Sequence, residues 1–264
     1  MVFRWADDRQ AFDTHFNYAD CLATLLQGAT LQYVPKLERR SLPDVDEKQN
    51  LISLTKRSLE QEHRLVEIDA DYSYASTSWL PVKGYYLLFN FLLTVQYIID
   101  CQSQSLRRSH EKCIRAYTRM LSRDELTFDP PILGSVFDRA IFDHREEPGA
   151  NLSRRTPIDR RFQMAMAKGA DYKLDDWKRR HNVPHFRTKE ARRKRDEYLA
   201  SFAFSIFEFP YYMRLRANYR DFAFIEGIGR SETARYFRAY YDFIIGFADA
   251  LEGLRRGLIA VRRT

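Results

Sequence analysis

The side chains able to do chemistry in this chain are arginines, histidines and tyrosines, and few stand in a familiar arrangement. Tyr85-Tyr86, Tyr211-Tyr212 and Tyr240-Tyr241 offer faces on which bases stack. Tyrosines at helical spacing beside Leu and Phe are more often core, with the hydroxyl at the rim, and that reading is favoured. His181 and His185 are four apart, but Pro184 between them argues against a helical metal pair. There is no GxxxxGK[ST] loop, no GxGxxG behind a strand, no HExxH and no GxSxG elbow. No cofactor and no metal are expected. Cys21, Cys101 and Cys113 form neither a CxxC pair nor a disulfide framework, and they read as core residues.

Charge supplies the one strong binding signal. The 264 residues carry 43 Lys+Arg against 36 Asp+Glu, a net charge of +7. Residues 139–195 hold 17 basic and 8 acidic residues, so this segment contains the whole excess. A concentrated basic stripe suits a polyanion, nucleic acid first among them. Arg179, Arg180, Arg192, Arg193 and Arg195 are the candidates for phosphate contact there. The competing reading, weighted equally, is an Arg-rich face that only meets water.

The elements that must position these groups are helices. Apolar residues recur at helical spacing over 11–33, 46–68, 80–100 and 109–122, the last with Ser109 as a plausible N-cap. Periodicity returns over 189–219, where Pro210 predicts a kink, and in a final helix after Gly229 with Ser231 as N-cap. Between them, 124–188 is rich in Pro and Gly and reads as a long basic insertion with short helices over 135–145 and 157–168. No sustained β alternation and no repeat appear. The expected fold is an all-α bundle, with 1–44 as an N-terminal helical extension and 45–260 as the bundle interrupted by 124–188. Residues 79–99, WLPVKGYYLLFNFLLTVQYII, approach the length of a membrane span, but Lys83, Asn90 and Gln96 interrupt them. They read as a central core helix, with no membrane partner. The charged N-terminus MVFRWADDRQ lacks the apolar core of a signal peptide, so the chain reads as a reduced, cytoplasmic protein.

Three segments resemble the HEPN family. WLPVKGYYLLFNFLLTVQYII resembles its second helix, opened by a Tyr-Tyr pair. SHEKCIRAYTRML (109–121) is similar to the segment in which a Ser/Thr-His pair opens the next helix. MRLRANYRDFAFIEGIGRSETARYFRAYYDFIIGFADAL (213–251) is similar to the family's ending, with an Arg, an Ala-polar-Tyr triplet, a short loop and a long amphipathic helix. The matches come in family order over roughly 45–122 and 189–258. The resemblance implies a helical bundle, often dimeric or paired with a cognate protein, that binds nucleotides or RNA. Many such proteins are metal-independent endoribonucleases of prokaryotic defence or toxin–antitoxin systems.

The resemblance also implies a site. The family's active motif is Arg-x4–6-His: the guanidinium forks onto the scissile phosphate, and the imidazole moves a proton. At the family position stands Arg214-Leu-Arg-Ala-Asn-Tyr219, with Tyr in place of His and Arg216 as a further nucleic-acid contact. A phenol is a poor base at neutral pH, so the site could bind without cutting. A helix-end salt-bridge cluster of Arg214 and Arg216 with Asp221 and Glu226 is the plain alternative. Among other pairs of qualifying spacing, Arg139-Ala-Ile-Phe-Asp-His144 is the best, with no helix breaker between. The expectation is an HEPN-like nucleic-acid-binding protein with ribonuclease activity through Arg214 and Tyr219 or Arg139 and His144. The alternative is a non-catalytic HEPN-like subunit that holds a partner protein or a nucleotide.

Overall fold

The computed structural model describes residues 5–41, 44–132, 136–137, 157–219 and 228–263. In chain order the elements are α1 Trp5–Leu26, β1 Thr30–Tyr33, α2 Asp46–Ile68, α3 Tyr72–Thr77 and α4 Leu80–Asp100. A 3-10 turn over Ser103–Arg107 leads to α5 His110–Ser122, β2 Leu126–Asp129 and β3 Val136–Phe137. Then come α6 Ile158–Arg180, α7 Lys189–Ala200, β4 Phe204–Ser205, α8 Phe209–Tyr219 and α9 Arg230–Arg263.

A helix apolar on nearly every side must be covered on every side. α4 is covered by α9, α2 and α8, and its Leu and Phe residues, Val95 and Ile98 are buried. By length and composition alone α4 could cross a membrane; here it is the centre of the bundle. The α4–α9 approach is close because Gly84 has no side chain: a β-carbon there would sit 2.7 Å from Ile244 Cγ1. α1 also packs on α9: Phe12 lies on Tyr236, Arg235 over Phe16, and Leu26 against Gly246. The far end of α9 locks the end of α4. The buried Arg262 guanidinium donates to the carbonyls of Ile98 at 3.1 Å and Ile99 at 2.6 Å, and to that of Glu38. Those carbonyls have no partner within their own helix, and a cation also suits a helix C-terminus.

The all-α expectation holds, with corrections of detail. The run over 11–33 splits: α1 ends at Leu26, Gly28 turns with φ 73°, and β1 pairs antiparallel with β2, Leu31 opposite Phe128. A second short pair sets Val136 opposite Ser205 and Phe137 opposite Phe204. These strands are two to four residues long, too short for alternation to register. The helix expected over 157–168 runs on to Arg180. It packs into the core: Phe162, Ala165, Met166 and Ala170 are buried, and Arg161 meets Asp20 at 2.9 Å. The predicted 135–145 helix lies largely outside the described residues. The run over 189–219 is two helices separated by β4, and Pro210 is the second residue of α8 rather than a mid-helix kink. At that position its missing N–H costs nothing. Ser109 flanks α5 as expected but makes no side-chain cap bond.

Candidate functional site

Tyr85 and Phe89 lie one turn apart on α4, and both rings pack on His110, the first residue of α5. Phe89 is the nearer, with ring centroids 4.2 Å apart. The Tyr85 hydroxyl lies 2.6 Å from His110 Nδ1 and fixes the ring's rotation. From α8, Tyr211 stacks at 6.2 Å and 25° to the imidazole. Three residues on, one turn further, Arg214 lays its guanidinium over the rings of Tyr85, Tyr86 and Tyr211, at 5.1, 5.6 and 5.4 Å. It also donates to the Tyr86 hydroxyl at 3.1 Å. Its Nε is buried with no hydrogen-bond partner among the described residues. The guanidinium and the imidazole therefore share one aromatic cage, with Tyr86 at its exposed rim.

The electrostatics follow from this packing. Burial, and then the Arg214 charge, push the His110 pKa below its ordinary value, so the ring is neutral at pH 7. Burial raises the Tyr85 phenol far above its ordinary value despite Arg214, so Tyr85 stays protonated. With the phenol neutral, its oxygen can accept from Nδ1–H, and Nε2 then carries the free lone pair. A neutral imidazole beside a fixed guanidinium can take a proton while the cation balances developing negative charge.

Next to the cage lies a cavity of about 310 Å³. Each bordering helix offers one face at three- and four-residue spacing. α5 contributes Glu111, Ile114 and Arg115; α6 contributes Lys173, Asp176, Trp177 and Arg180. Glu208, just before α8, and Tyr211 and Tyr212 within it close a third side, and Tyr198 of α7 stacks on Trp177 at 4.7 Å and 14°. At the buried end Lys173 meets Glu208 at 2.8 Å, and Thr118 donates to Glu208 at 3.2 Å. Burial raises the Glu208 pKa, and Lys173 opposes that shift. At the rim Arg180 bridges Glu111 and Asp176, the latter at 2.6 Å.

The predicted site residues are only partly brought together. Arg214 is in the cage. The side chains of Arg216 and Tyr219 lie outside the described residues, as do Arg139 and His144. Arg180 borders the cavity, and Arg179 meets Asp176 at 3.4 Å. On α7, Arg193 pairs with Glu197, Arg195 with Asp196 at 2.8 Å, and Arg192 donates to the Arg187 carbonyl at 3.3 Å. Arg179 of α6 and Arg193 and Arg195 of α7 thus stand at pairing distance from acids, and exposed pairs of this kind contribute little to stability. Sequence reasoning did not assign His110, although it opens one of the segments that resemble the HEPN family. Pairing Arg with His at four to six residues cannot find partners from two different helices. Among the described residues no group of His, Cys, Asp and Glu is placed to hold a metal ion. Comparisons with protein-family models, with curated proteins and with solved structures find no match to the chain.

Proposed function

We propose that this chain is an HEPN-like RNA-binding protein that engages a phosphodiester at Arg214 and His110, with metal-independent endoribonuclease activity as the reaction. The observation that carries this reading is the shared aromatic cage, which sets a guanidinium beside an imidazole kept neutral at pH 7. In the reaction His110 Nε2 takes the 2′-hydroxyl proton as the 2′-oxygen bonds to phosphorus. The bond from phosphorus to the 5′-oxygen breaks, and the proton is passed to that oxygen. Arg214 balances the extra negative charge on the phosphoryl oxygens. The products are a 2′,3′-cyclic phosphate and a 5′-hydroxyl. His110 replaces Tyr219 as the proton-moving group, because a phenol is mismatched to neutral pH.

The second reading is a non-catalytic HEPN-like subunit, and the ion pairing along α6 and α7 favours it by lowering the charge free to meet phosphate. End-labelled single-stranded RNAs of varied sequence, incubated with the full chain in chelator, separate the two. Fragments ending in 2′,3′-cyclic phosphate support the nuclease; binding without cutting keeps the RNA-binding reading and removes the reaction; neither binding nor cutting moves the weight to a subunit that holds a partner protein or a nucleotide. Light scattering on the same sample tests the expected homodimer or cognate complex.

A further inference from the structure

The cavity beside the cage is continuous with it through shared residues. Tyr211 lines the cavity and also touches the Arg214 guanidinium, and Glu111 lines it from the position after His110. A ligand held at Arg214 therefore has this recess within reach of its next chemical group.

The recess has the chemistry of a flat, uncharged, polar ring. Trp177 and Tyr198, stacked on one another, line one side with aromatic rings, and Tyr211 and Tyr212 line the cavity from α8. At its buried end Lys173 is spent on its ion pair with Glu208 at 2.8 Å and on the Ala203 carbonyl, while Glu208 Oε2, buried and with no aligned hydrogen-bond donor among the described residues, is the acceptor left for a base N–H. The lining charges cancel: Arg115, Lys173 and Arg180 against Glu111, Asp176 and Glu208. A site with no net charge has no preference for a free phosphate, unlike the Arg214 cage next door. Its volume, about 310 Å³, is at the small end of small-molecule sites.

We propose that this cavity is a nucleobase subsite, which takes one base unstacked from an RNA strand whose phosphate lies at Arg214. The proposal rests on the RNA reading above and adds where the strand's sequence is felt. Base stacking falls to the Trp177–Tyr198 pair, and edge recognition to Glu208.

The test uses the full chain and two kinds of probe. Adenosine, cytidine and uridine are titrated while Trp177 emission is followed, with ribose 5-phosphate as the base-free control and Trp177→Phe identifying the reporting tryptophan. Single-stranded RNA is compared with the same RNA carrying abasic positions. The proposal predicts a saturable change with at least one nucleoside and none with ribose 5-phosphate. It also predicts weaker binding of abasic RNA, and affinity lowered about tenfold in Tyr198→Ala through loss of stacking. RNA binding that is indifferent to abasic positions, with no nucleoside response, overturns the subsite and leaves the RNA reading standing. A nucleoside response without RNA binding supports the subsite and removes the RNA reading. Circular dichroism of Tyr198→Ala shows that the variant is folded when its affinity is read.

Discussion

The Tyr85 hydroxyl and His110 Nδ1 lie 2.6 Å apart, and burial keeps that phenol protonated. The relationship makes α4 the positioning element for the imidazole that shares the cage with Arg214. It also has a pH signature. Around His110 stand Tyr85, Tyr86 and Phe89 of α4, Tyr211 and Arg214 of α8, and Glu111 beside it in the chain. Burial and Arg214 lower its pKa in the folded state from the ordinary 6.5. Between the folded and unfolded values the unfolded chain binds more protons, so stability falls as pH drops from 6.5 through the folded value. Thermal melts across this window should show that loss in the wild type and a smaller one in His110→Gln. Identical pH dependence in both proteins would contradict the assignment.

The Lys173–Glu208 pair should behave as a buried ion pair. Lys173→Met leaves Glu208 buried beside Thr118 without a counter-ion, which costs about 3–5 kcal/mol. Burial already raises the Glu208 pKa, and removing Lys173 raises it further. A carboxyl whose folded pKa is raised contributes stability at low pH and loses it as pH rises through that value. The Lys173→Met deficit should therefore be largest at neutral pH and shrink on acidification. Urea titrations at two pH values check this; a deficit independent of pH would speak against it.

Arg262 closes the C-terminal end of α4 through the Ile98 and Ile99 carbonyls. Arg262→Ala removes these charge-assisted bonds and leaves the Ile98 carbonyl only the weak Cys101 thiol donor, a loss of about 2–3 kcal/mol. Arg263→Ala, at the neighbouring position in the last turn, serves as the control. Equal melting temperatures for the two variants would show that the cap does not stabilise the bundle.

Much of the bundle was legible because its long helices carry unbroken periodicity. α2 and α4 fall on the predicted 46–68 and 80–100: the buried Ile52, Leu59 and Val66 recur seven apart on α2, and α4 is apolar on nearly every side from Leu80 to Ile98. β1 and β2 were not legible, since four residues each give alternation nothing to repeat over. The full length of α6 was hidden because its buried face includes Gly169 and two alanines, small residues that weaken an apolar stripe. Gly169 is where a β-carbon would run into the Phe204 ring, a tertiary constraint that the local sequence does not announce. Of the site, Arg214 was legible and His110 was not, because their meeting depends on how α4 seats α5 against α8.

The α7 arginines offer a direct reading of charge. If they contact phosphate, RNA affinity should fall steeply with salt, as neutralised phosphates release counterions. Simultaneous charge reversal at Arg192, Arg193 and Arg195 should weaken binding to all sequences alike. Their pairs with Glu197 and Asp196 must open for this, so a charge-reversed variant with unchanged affinity would assign them to the solvated face instead.

The central claim is that Arg214 and His110 act on one phosphodiester, and single-turnover RNA cleavage in chelator tests it most directly. Arg214→Ala and His110→Ala should each slow cleavage by about 100-fold or more, the scale of losing a charge clamp or a proton-transfer group. His144→Ala and Tyr219→Phe should cut at nearly the wild-type rate. Cleavage that survives His110→Ala but is lost in His144→Ala, or wild-type protein that leaves varied RNAs intact, would contradict the account.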